Sequence, residues 1–82
     1  MVTLRYLGSL SEKTKTDEEF VNLDSIKDIL KYLKKRYGKK VYSLLRSMVI
    51  TVNGKDIRLI AGVKTVLSDD DTVTFFPPSA GG

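Results

Sequence analysis

The sequence predicts an α+β fold in which a mixed four- to five-stranded sheet packs on one main helix. Three observations carry that expectation. Runs near both ends of the chain have the apolar and β-branched composition of strands, and the first of them alternates as a half-buried strand does. Between them, Ile26, Ile29, Leu30, Leu33 and Tyr37 recur at spacings of three and four, which puts them on one face of a helix. Asn53-Gly54, set between apolar runs, is the strongest two-residue hairpin signal a sequence offers.

The elements follow in order. Residues 2–7 alternate, with Val2, Leu4 and Tyr6 on one face and Thr3, Arg5 and Leu7 on the other, as in a strand with one buried side. Gly8 to Glu18 is rich in Ser, Thr, Lys and Glu and reads as an exposed loop. Residues 19–23 form a short second strand, antiparallel to the first. Asp24-Ser25 opens the helix: either side chain can accept from the orphan N–H groups of the first turn, and Asp28 lies three past Ser25 as in a capping box. Gly38 suits the positive φ that ends a helix. Val41 to Met48 holds Leu44, Leu45 and Met48, enough for a second short helix or turn. Val49 to Val52 is a strand, and residues 57–60 return from the Asn-Gly turn. Ala61-Gly62 breaks that return, and Thr65-Val66-Leu67 leads into the acidic turn Asp69-Asp70-Asp71. Thr72 to Phe76 is the last strand, expected in mid-sheet beside the first. A helix with one apolar face must cover a sheet with one apolar face. The ubiquitin-like β-grasp, a mixed sheet grasping one helix, is the simplest arrangement that does so.

Composition narrows the chemistry. The 82 residues make one domain, 1–76, followed by a flexible tail, 77–82; the apolar fraction of 41% suits a small soluble core. No apolar run approaches the roughly 20 residues that span a bilayer. The alternating N-terminus lacks the charged start and apolar block of a secretory signal, so a cytoplasmic location is expected. There is no Cys and no His, which removes disulfides, thiolate nucleophiles, the commonest general base and the commonest metal ligands. No metal site and no independent catalysis are expected. The net charge of +4 is partly concentrated in Lys34-Lys35-Arg36-Tyr37-Gly38-Lys39-Lys40. That run reads either as a patch for nucleic acid or an acidic partner, or as a helix end that favours cations followed by a solvated loop. One short basic run without interleaved stacking aromatics is a weak nucleic-acid footprint.

The ending Phe75-Phe76-Pro77-Pro78-Ser79-Ala80-Gly81-Gly82 is the most informative segment. Proline fixes φ and donates no N–H, so Pro77-Pro78 ends the strand and projects the chain outward. Glycine lacks Cβ, so Gly81-Gly82 can thread a channel too narrow for other residues. Such an end suits delivery of its own carboxylate into another protein's active site. The plain alternative is a frayed end; two terminal glycines coincide by chance in roughly 0.5% of chains at a usage of about 7%. Phe75 and Phe76 point to opposite faces of the last strand, so one is expected in the core and the other free to anchor an interface.

This ending resembles that of the MoaD family, the small sulfur-carrier subunit of molybdopterin synthase. Val2-Thr3-Leu4-Arg5-Tyr6-Leu7-Gly8 is similar to the family's first strand, and Val52-Asn53-Gly54-Lys55-Asp56-Ile57 to its central hairpin. Leu67-Ser68-Asp69-Asp70-Asp71-Thr72-Val73 resembles its Leu-x-Asp-Gly-Asp-x-Val approach, with two departures overall: Asp70 stands where glycine is usual, and Ser79 where valine is common. Asp70 is therefore expected to take the turn, with φ > 0.

The resemblance implies a sulfur carrier in molybdenum cofactor biosynthesis. An ATP-dependent adenylating and sulfurating enzyme would activate Gly82 and convert it to a thiocarboxylate, the ATP being used by that enzyme and no cofactor being bound by this chain. Sulfur would then pass to a pterin precursor in the large subunit of molybdopterin synthase, within a heterotetramer. Phe75, Phe76, Pro77, Pro78, Ser79, Ala80 and Gly81 are the implied partner-binding residues. Apart from the resemblance, Arg5 and Arg58 read either as solvent-face residues that meet an acidic partner or as plainly solvated side chains. The alternatives are a ubiquitin-like protein modifier or tRNA-thiolation carrier with the same tail, and a binding module that uses residues 34–40; a thiamine-pathway sulfur carrier fits less well, since its tail usually lacks Phe-Phe-Pro-Pro.

Overall fold

The computed structural model describes residues 1–77. Its centre is a five-stranded mixed sheet built from β1 (Val2–Tyr6), β2 (Glu18–Val21), β3 (Val49–Val52), β4 (Lys55–Asp56) and β5 (Thr72–Phe76) in the order β2-β1-β5-β3-β4. β5 runs parallel to β1 and antiparallel to β3, so the last strand is in mid-sheet beside the first, as the sequence predicts. One face of the sheet is covered by α2 (Ile26–Tyr37), with α1 (Ser9–Thr14) and α3 (Lys39–Arg46) beside it.

The main helix forms where its periodicity places it. Ser25 Oγ accepts the Asp28 N–H at 3.2 Å and caps the first turn. Ile26, Ile29 and Leu33 are wholly buried, while Leu30 and Tyr37 pack at the edge of the same cluster. Gly38, at φ +93°, closes α2 through its N–H to Lys34 O and opens α3. The hairpin is also as expected: Asn53 and Gly54 both have positive φ, and Val52 pairs with Lys55.

Three segments depart from the sequence reading. Residues 8–18, expected as an exposed loop, contain α1. Its Leu10 is fully buried, and Thr14 Oγ1 donates to Leu10 O. A six-residue helix with one inward aliphatic side chain is too short to show a period. The return from the hairpin is only two residues long, because Asp56 Oδ1 accepts the Arg58 N–H at 2.9 Å and folds Ile57–Leu59 into a 3-10 turn. The stretch after Gly38 is not a solvated loop but the first turn of α3, and the basic run is divided between two helices.

A second 3-10 turn, Gly62–Lys64, leads to Thr65-Val66-Leu67, which is tied to the start of α2 by Ile26 N–H to Thr65 O and Leu67 N–H to Asp24 O. Asp70 takes φ +69°, the conformation expected where glycine is usual. Beside it, Asp71 accepts from the Ser68 N–H and the Asn53 side-chain amide, which hold its carboxyl below the usual range and pin the acidic turn to the hairpin.

Glu19 on β2 gathers the hydroxyls of Tyr6, Tyr32 and Tyr37, with Arg36 Nε at 3.6 Å. Burial alone would raise its carboxyl. The three hydroxyls and the Arg36 charge outweigh burial and hold it below its ordinary value of 4.5. Glu19 therefore stabilises the fold fully above pH 4.5, and that contribution is lost as pH falls through its lowered folded value. Burial and the same carboxylate push Tyr6 and Tyr32 upward, Tyr32 to about 12, so the Tyr32 contribution disappears as pH rises from 10 through that value. Glu19→Leu leaves the buried Tyr6 hydroxyl without its acceptor and is expected to cost about 2–3 kcal/mol at neutral pH. Thermal melts from pH 3 to 7 check both points: Glu19→Leu shows a smaller acid-limb loss than the parent, the remainder coming from carboxylates such as Asp71.

Candidate functional site

The tail root is assembled by β5 and its two neighbours. Phe75 lies between Tyr6 on β1 and Ile50 on β3, its ring 5.8 Å from that of Tyr6, and is 0% exposed. Phe76 points to the other face opposite Val49 and is 39% exposed. Alternation along β5 thus resolves the pair: one ring anchors the strand in the core and the other is open to a partner. Phase along the strand excludes Phe75 from the partner-binding set, since the fold encloses it completely. Of that set, Phe76 and Pro77 are the members exposed among the described residues. Pro78, Ser79, Ala80, Gly81 and the proposed reactive Gly82 lie outside the described residues.

Gly8, which sequence reasoning did not single out for the site, supports this root. It turns the chain after β1 at φ +61°, and a Cβ there would stand 3.2 Å from Pro77 Cγ. The first residue beyond the last strand is therefore seated against the turn that follows the first strand. Gly8→Ala meets both a disfavoured φ and a close ring, and is expected to lower stability by about 1–2 kcal/mol in a urea melt. The available signal was the glycine directly after an alternating strand.

The two arginines separate. Arg5 is exposed on β1, between Glu18 of β2 and Thr74 of β5 in register, and so is on the solvent face of the sheet. Arg58 is outside the sheet in the 3-10 turn, where its guanidinium is held by Asp56 at 2.6 Å. That contact draws the Asp56 carboxyl below its usual range. Among the described residues, no helix is long and apolar enough to cross a membrane.

A buried aromatic anchor in the central strand, an exposed aromatic at its end and a proline seated on a glycine turn make a rigid exit for the chain's last residues. This is the ubiquitin-like β-grasp, in the form of the ThiS/MoaD-type sulfur carriers. A profile of the ThiS family matches residues 4–82, and the chain belongs to that family.

Solved structures agree on the fold. Small archaeal modifier protein 1 from Methanosarcina acetivorans is 26% identical, with a TM-score of 0.86 over 99% of this chain and 95% of that one. A chain of the Amycolatopsis orientalis BexX/CysO complex is 24% identical, with a TM-score of 0.83 and full coverage of both chains. A chain of the complex between subunits 1 and 2 of the Helicobacter pylori molybdopterin-converting factor is 23% identical, with a TM-score of 0.72 over 99% of this chain and 97% of that one. No curated protein matches the sequence significantly.

Proposed function

We propose that this chain is a sulfur carrier in molybdenum cofactor biosynthesis, with Gly82 as the group that is activated and loaded. The observation that carries the reading is the ending Phe75-Phe76-Pro77-Pro78-Ser79-Ala80-Gly81-Gly82, rooted in the central strand of a ThiS-family fold. A carboxylate is a poor electrophile. Attack of the Gly82 carboxylate on the α-phosphate of ATP, in a partner enzyme, expels pyrophosphate and leaves an acyl adenylate. A sulfide-level sulfur nucleophile supplied by the partner enzyme then attacks the carbonyl, AMP leaves, and a thiocarboxylate remains. The absence of Cys means that no thiol of this protein competes for the activated carbonyl.

The chain's own residues deliver that group. Phe75 fixes the direction of the exit, and Pro77-Pro78 stiffen it, which reduces the entropy lost when the tail is ordered in a partner. Phe76 is the exposed ring available as an anchor beside the tail. Gly81 adds no side chain where the tail must pass a narrow channel. The receiving partner is the large subunit of a molybdopterin synthase, assembled with this chain as a heterotetramer. The Helicobacter pylori complex of two molybdopterin-converting subunits supports that assembly by likeness of fold.

A second reading, a protein modifier or tRNA-thiolation carrier with the same tail, is favoured by the 26% identity to the archaeal modifier. The test incubates the thiocarboxylated chain with the large subunit and the pterin precursor, and separately with cell protein and tRNA. Dithiolene formation with stoichiometric loss of the thiocarboxylate is the expected result. Isopeptide adducts on lysines or thiolated tRNA, without dithiolene, would replace the first reading by the second.

A further inference from the structure

Away from the tail, α2, α3 and the 3-10 turns border two adjoining depressions of about 440 and 410 Å³. They share Leu30, Tyr42 and Val63 as a common wall, so they form one groove. Its floor is aliphatic, including Leu45, Met48 and Ile57, and Val63 is 47% exposed at its centre. Lys27, Lys31, Lys34 and Lys64 border one depression and Arg46 and Arg58 the other, and among the described residues no Asp or Glu lines either.

We infer that this groove docks an acidic amphipathic segment of a partner protein, apolar side chains on the floor and carboxylates against the rim. Charge is the first argument. Among the described residues only Arg58 of the six rim cations makes an ion pair. Lys27, Lys31 and Lys34 follow one another at spacings of four and three along α2. Like charges so placed weaken a helix, and of the three only Lys34, in the last turn, gains from the helix dipole. The floor supplies the second argument. An aliphatic strip flanked by cations matches a chain that alternates apolar and acidic groups. A nucleic acid would need an open aromatic face, and the one aromatic ring here, Tyr42, already has Lys34 Nζ 4.8 Å from its centroid. Val49, which lines the first depression, is the cross-strand neighbour of Phe76, so the groove reaches towards the tail root. The proposal does not depend on tail chemistry.

The test uses the full chain and an array of fluorescent 12-residue peptides in which Leu/Phe and Glu positions are varied independently. Anisotropy gives affinity, and amide shifts in the isotope-labelled protein give location. Peptides with both features are expected to bind with saturable shifts at Leu30, Tyr42 and Val63, and to weaken as salt is raised. Their Gln-for-Glu and Ser-for-Leu twins should bind at least about tenfold more weakly. The double substitution Lys31→Glu with Lys34→Glu, at two exposed positions, should cost the same factor, while removal of Gly81 and Gly82 should change nothing. Equal binding of the Gln twins, shifts confined to other faces, or a single-stranded RNA 12-mer that displaces every peptide from these amides would each overturn the proposal.

Discussion

Deleting Gly82 is expected to abolish loading of the tail with sulfur while leaving the melting temperature unchanged. The missing residue shortens the reach by about 3.5 Å. In an active site a misplacement of about 1 Å already costs roughly a hundredfold, so loss beyond detection follows. The fold should not notice, because the sheet and its core are complete at Phe76. Gly81→Val separates reach from width: the carboxylate stays at its full distance, but a branched side chain enters the path. Reduced loading in that variant, with normal stability, identifies a narrow channel. Unchanged loading in both variants would remove the tail from the chemistry.

The second large effect concerns the two phenylalanines. Phe75→Ala empties a wholly buried site between Tyr6 and Ile50, and such truncations cost about 3–5 kcal/mol. Small domains have about 5–15 kcal/mol in total, so this change brings the protein close to unfolding. Phe76→Ala removes a partly exposed ring and should alter stability by no more than about 1 kcal/mol. Its effect is expected in binding, where loss of an aromatic anchor weakens the complex with the proposed large subunit about tenfold or more. Urea melts and a titration with that subunit separate the two roles. If both substitutions changed stability alike, the division of the strand into an anchor and an open ring would be wrong.

Much of this arrangement was legible because it rests on strong local rules. The α2 face, the Asn53-Gly54 turn and the split of Phe75 from Phe76 each follow from a period or a backbone preference that acts within a few residues. The positive φ of Asp70 was legible from its place in the acidic turn. What failed to show depends on contacts between distant segments. Leu10 is one aliphatic residue in a polar stretch, and only its burial under the fold reveals α1. The 3-10 turn at Ile57 arises because Asp56 captures an N–H, a competition that an apolar run such as Ile57-Arg58-Leu59-Ile60 conceals. Gly8 matters because Pro77 is brought against it from the other end of the chain. The Glu19 cluster joins tyrosines from β1 and α2, and the cationic rim draws on residues from 27 to 64. The basic run 34–40 was read as one feature, yet the fold turns Lys34 to the groove and Arg36 to Glu19.

The most direct measurement is the mass of the isolated C-terminal peptide after incubation with ATP, a sulfur source and the activating enzyme of the host. The peptide must be separated from Met1 and Met48, since oxidation of a methionine adds nearly the same mass as exchange of oxygen for sulfur. The account predicts a thiocarboxylate at Gly82, formed only when ATP is present. An unmodified Gly82, in a mixture that converts a control carrier, would contradict it.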